Sequence, residues 1–85
     1  STGMSEVSID GDNLVVDAEV IGRGFRIEPA EVPVLMREGR ITSRSEIGQD
    51  EDEGRRRVTF YYSGRALRLV IDENGTIIRR ATFDV

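Results

Sequence analysis

From Arg40 onward the side chains recur with a period of two, interrupted at intervals by turn residues. Successive side chains of a strand point to opposite faces, so such alternation marks strands with one buried and one solvated side. Ile41, Ser43, Ser45 and Ile47 alternate with Thr42, Arg44 and Glu46. Arg56, Val58, Phe60 and Tyr62 alternate with Arg57, Thr59 and Tyr61, and Leu67, Leu69 and Ile71 alternate with Ala66, Arg68 and Val70. Ser63-Gly64 reads as a tight turn, and Asp72-Glu73-Asn74-Gly75 as the strongest hairpin signal, because Asn-Gly tolerates the positive φ angles of tight turns. A last strand is predicted from Thr76 towards Phe83. Four consecutive strands joined by short turns make an antiparallel meander.

The residues ahead of the meander predict a hairpin and two short helices. Val7-Ser8-Ile9 and Leu14-Val15-Val16 flank the turn sequence Asp10-Gly11-Asp12-Asn13. Asp17 is a natural N-cap for a helix running through Arg23, with Gly24 as its stop. Two glycines in one turn, Gly22 and Gly24, weaken that helix. A second helix is predicted to start in Glu28-Pro29-Ala30-Glu31, where proline and acids suit the first turn, and to end at Gly39. Val32, Leu35 and Met36 give it an apolar face. Pro33 falls in its second turn on this reading, and a distorted, partly 3₁₀ first turn is expected. The fold class is therefore α+β: an N-terminal β-hairpin and two short helices packed on a four-stranded antiparallel β-meander. Ser1-Thr2-Gly3 ahead of Met4 reads as an expression remnant, leaving residues 4–85 as a single small domain.

All twelve basic residues are arginine, and the chain lacks lysine, histidine and cysteine. Without cysteine there is no disulfide framework or thiolate metal site, which favours a reducing compartment such as the cytoplasm. No apolar run approaches a membrane span, and no signal peptide is recognised. The net charge of −4 argues against non-specific nucleic-acid binding, but charge is unevenly placed. Residues 1–36 carry seven acids against two arginines; residues 37–85 carry nine acids against ten arginines, with four of those acids in the run Asp50-Glu51-Asp52-Glu53. A GC-rich coding bias is the plainer account of the arginines; the functional account is selection for a planar fork donor.

Several chemistries are excluded. Ser-His and Cys-His nucleophiles cannot be built, zinc loses its usual ligands, and neither a Walker loop nor a dinucleotide fingerprint is present. Asp50 to Gly54 superficially resembles a calcium loop, but its glycine is fifth rather than sixth and three arginines follow. The plainer expectation is an acidic loop pairing with Arg55, Arg56 and Arg57. The two helices have the length of a helix-turn-helix, and the close at Leu35 to Ile41 resembles that of small winged-helix readers of the excisionase type. The second helix opens with Pro29, Ala30, Glu31, Val32 and Pro33 where a DNA reader needs basic and polar residues, which argues against sequence-specific DNA binding. No acid is singled out for catalysis, so no enzymatic role and no cofactor are expected.

The remaining candidate is a sheet face. If Val58, Phe60, Leu67, Leu69 and Ile71 face the helices, then Arg57, Thr59, Tyr61 and Arg68 face away, with Arg44 and Arg80 joining them from the flanking strands. Arg44, Arg57, Tyr61, Arg68 and Arg80 are thus the candidate ligand-binding residues, suited to a phosphate, a single-stranded nucleic acid or an acidic protein surface. An ordinary solvated face, with arginine stems over apolar area and cross-strand partners such as Glu46, accounts for the same pattern.

Short blocks also carry a family resemblance: Leu35 to Arg44 (LMREGRITSR), Glu51-Asp52-Glu53-Gly54-Arg55, Thr59-Phe60, Arg68-Leu69, Asp72-Glu73-Asn74-Gly75 and Arg79-Arg80. Together they resemble a family of short uncharacterised bacterial proteins, a domain of unknown function, over roughly residues 7–85. The resemblance implies a bacterial, soluble, single-domain protein and no particular activity. Members often carry Cys where this chain has Ser45, so no thiol role transfers. The function expected is a small non-enzymatic binding or regulatory module engaging an anionic ligand, nucleic acid or acidic partner through an arginine-bearing sheet face. The alternative is an interaction protein that homodimerises through a sheet edge or apolar patch.

Overall fold

The computed structural model describes residues 7–10, 13–48 and 54–85. The acidic run at 50–53, and with it the expected pairing of those acids with Arg55, Arg56 and Arg57, lies outside the described residues. In chain order the elements are β1 (Val7–Asp10), β2 (Asn13–Val16), α1 (Ala18–Phe25), α2 (Glu31–Arg37), β3 (Thr42–Ile47), β4 (Arg56–Tyr62), β5 (Arg65–Ile71) and β6 (Ile77–Asp84). β1 and β2 form an antiparallel hairpin, and β3-β4-β5-β6 form a four-stranded antiparallel sheet in sequence order. The fold is α+β, with the meander in the predicted order. No helix among the described residues is long and apolar enough to cross a membrane.

The turns follow local chemistry. Ser63 and Gly64, both at positive φ (50° and 74°), join β4 to β5 in the primed geometry that matches strand twist. After β5, the Asp72 Oδ1 accepts from the amides of Asn74 and Thr76, each at 2.9 Å, and Gly75 takes φ 85°. α1 begins as predicted: the Asp17 carboxylate accepts from the Glu19 amide at 2.9 Å, which satisfies one of the helix's unpaired donors. Its end differs from prediction. The helix runs through Gly24 to Phe25 and stops at Arg26, which adopts the left-handed conformation (φ 60°, ψ 44°) so that its amide and that of Ile27 reach the Gly22 carbonyl.

The two helical glycines have packing roles. A Cβ on Gly22 would lie 2.7 Å from the Ile27 carbonyl oxygen, and one on Gly24 would lie 2.7 Å from a Leu67 methyl. Gly22 therefore admits the chain folding back towards α2, and Gly24 lets α1 approach β5 closely.

α2 starts later than predicted, at Glu31, which places Pro33 in its first turn. There a proline removes an amide that has no intrahelical partner in any case. The expected 3₁₀ character lies just ahead, where the Glu31 and Val32 amides bond to the carbonyls three residues earlier. Gly39 ends the helix as predicted. Its own amide bonds to Met36 and that of Arg40 to Leu35, the paired bonds of a Schellman close, with Gly39 at φ 73°.

The core lies between the helices and one face of the sheet. Val20, Ile21, Phe25, Val32 and Leu35 from the helices meet Val58, Phe60, Leu67, Leu69 and Ile71 from the central strands, with Val7 of the hairpin and Ile41 joining them. Phe25 packs edge-on against Tyr62 with centroids 5.5 Å apart.

Alanine for glycine inside a helix ordinarily gains about 1 kcal/mol. Gly22→Ala is expected to reverse that sign and cost roughly 1–3 kcal/mol of unfolding free energy in urea, because its Cβ meets backbone. Gly24→Ala should cost less, since the Leu67 methyl can rotate away. Stabilisation by Gly22→Ala would contradict the packing described.

A candidate anion-binding face on the sheet

Register decides which side chains share the face turned away from the helices. Cross-strand partners point the same way, so the pairings place three rows on that face. Thr42, Tyr61, Ala66 and Phe83 form the first; Arg44, Thr59, Arg68 and Ala81 the second; Glu46, Arg57, Val70 and Arg79 the third. Four of the five residues singled out from sequence are brought together here: Arg44, Arg57, Tyr61 and Arg68.

Arg80 is not among them. It pairs with Leu69 and so lies on the helix-side face. The cause is a register shift at Val70/Ile71: Ile71 pairs with Ile77 but Val70 pairs with Arg79, leaving Ile78 as an extra residue. A slip of one residue exchanges the faces of everything beyond it. Without the bulge, Arg80 would stand beside Arg68; with it, Arg79 occupies the open face. Simple alternation carries no signal of a bulge, so the sequence reading missed Arg79.

The arginines are held in different ways. Arg57 Nη2 donates to Glu46 Oε2 at 2.8 Å across β4 and β3, the partnership expected of Glu46. Arg68 Nε donates to Thr59 Oγ1 at 3.3 Å, and its guanidinium carbon stands 5.0 Å from the centroid of Phe83. Thr59 is thereby satisfied although only 1% exposed. Arg44 and Arg79 project into solvent. Within the three rows four arginines face a single acid, Glu46.

Beside the third row the surface sinks into a groove of about 600 Å³, whose lining includes Glu46, Arg57, Arg68, Val70, Arg79 and Ala81. Val70 and Ala81 provide apolar floor while guanidinium forks surround it. Such forks donate in a plane to carboxylate or phosphate oxygens. Among the described residues no group of three or more acids is placed to hold a metal ion.

The hydrogen bond from Arg57 holds the Glu46 carboxyl below its ordinary value of 4.5, opposed by desolvation and aided by the charges of Arg57, Arg44 and Arg68. A carboxylate with a depressed pKa in the fold stabilises above its unfolded value and loses that contribution as pH falls through the lowered one. Carbon-detected NMR titration should find the Glu46 midpoint below 4.5 and moving back towards it in Arg57→Ser. An unchanged midpoint would break the assignment of cause.

A family model described as a family of unknown function (DUF6522) matches residues 4–85. No curated protein and no solved structure matches the chain. With its described hairpin, helices and meander all inside the matched span, the chain belongs to DUF6522, a family of unknown function.

Proposed function

We propose that this domain is a non-enzymatic binding module that engages an anionic ligand through the open face of its sheet. The observation that carries the reading is the composition of that face: among the described residues, the three rows bring together Arg44, Arg57, Arg68 and Arg79 with one acid, Glu46, beside a groove large enough for a small ligand. The absence of histidine and cysteine from the chain supports binding rather than catalysis.

Two neighbouring arginines provide an internal control, because the bulge sends them to opposite faces. Titrated with inorganic tripolyphosphate at low salt, Arg79→Ser is expected to bind about five-fold more weakly, the equivalent of about 1 kcal/mol. Arg80→Ser should change affinity less than about two-fold, the effect of one distant screened charge. Glu46→Gln, which removes the one acid in the three described rows, should tighten binding by about two-fold on the same Coulomb argument. Equal losses in the two arginine variants would sink the reading.

A second reading, homodimerisation through a sheet edge, is favoured by one observation. Among the described residues β3 and β6 are edge strands, and Ile47 on β3 is 79% exposed. Sedimentation equilibrium over a wide concentration range is the check: self-association weakened by Ile47→Glu supports it, and a strict monomer removes it.

A further inference from the structure

The geometry points to single-stranded nucleic acid, in preference to phosphate alone, as the anion this face takes. The inference rests on the anion-binding reading and adds the chemistry of the ligand's uncharged part.

Tyr61 and Phe83 sit in one cross-strand row with Ala66 between them. Both rings are partly exposed, while Ala66 is fully buried. Two strand spacings separate the rings' backbones, about 10 Å. Arg68 then stands over Phe83 and is fixed there by Thr59. A guanidinium so held can itself take a base on its outer side. The row of Arg44 and Arg68 lies two residues along the strands from the aromatic row, and the row of Arg57 and Arg79 four residues along, or about 7 and about 14 Å. The face thus offers π surfaces at one end and fork donors at successive distances towards the other.

A ligand that uses all of it must carry planar rings and a spaced series of anionic groups. Inorganic polyphosphate has the charges without the rings, and an acidic peptide has carboxylates without regularly placed planar faces. Duplex DNA hides its base faces in the stack. A single strand exposes both, and a sheet with stacking residues and arginines is a surface on which successive bases and phosphates can be laid down without sequence readout. Among the described residues, the acids Asp17, Glu19, Glu28 and Glu31 belong to the helices, the α1 cap and the link between the helices, which pack on the opposite side of the sheet.

The test uses fluorescence anisotropy of the full chain with labelled oligouridine and oligothymidine of about ten nucleotides, within the usual site size. Competitors are long-chain inorganic polyphosphate and polyglutamate of matched charge, and the same sequence as a duplex. The expected result is binding at low salt with the single strands at least ten-fold tighter than any competitor. Tyr61→Leu, which keeps apolar bulk and is checked for fold by circular dichroism, should weaken the single strand about five-fold or more and leave polyphosphate binding unchanged, whereas Phe83→Leu, which also removes the ring under Arg68, should weaken the single strand more than it weakens polyphosphate. Arg79→Ser should lower the slope of log affinity against log salt by about 0.7. Single strands that bind no better than polyphosphate, or ring variants without effect, overturn the inference while leaving an anion-binding face. A preference for polyglutamate assigns the face to an acidic protein partner and also overturns it. No binding of any polyanion overturns both readings.

Discussion

The burial of one face of β4 and β5 beneath α1 and α2 is the constraint from which the rest of the domain follows. Val58, Phe60, Leu67, Leu69 and Ile71 are all buried there. Each such side chain contributes about 1.5–3 kcal/mol when fully removed from water. With the parity of the central strands set by that burial, Arg57, Thr59, Tyr61, Arg68 and Val70 have nowhere to point but the other side. Gly24 belongs to the same constraint, since a side chain there would hold α1 off Leu67. The open face is a consequence of how the closed face is sealed.

That division also separates charge. The hairpin and helices come from the acidic front of the chain, and the sheet comes from its arginine-rich back. Within the open face the arginines are not equivalent. Arg57 is tied to Glu46 and Arg68 to Thr59 and Phe83, which holds both forks in defined places. Arg44 and Arg79 are exposed. The face therefore combines held donors with solvent-reachable ones.

Local chemistry was legible in the sequence wherever one residue type solves one backbone problem. Asp17 as a cap, Gly39 as a helix stop, Ser63-Gly64 and Asn74-Gly75 as turns all appear as expected. The errors arose where the answer depends on a distant contact. Gly24 reads as a stop because glycine is a poor helix former, yet it is retained inside α1 by the approach to Leu67. Pro33 looked misplaced because the start of α2 was put too early by Pro29. Ile78 carried no sign that it would bulge, and that single residue moved Arg80 off the open face and Arg79 onto it. Arg44, Arg57, Tyr61 and Arg68 were found because they precede the bulge.

The most direct test of the two-faced sheet is an NMR titration of the arginine side-chain and backbone resonances with tripolyphosphate. The account expects the largest shifts at Arg44, Arg57, Arg68 and Arg79, with Arg80 and Arg65 nearly still because their register places them on the helix side. Shifts as large at Arg80 and Arg65 as at Arg79, or spread evenly over all twelve arginines of the chain, would contradict it.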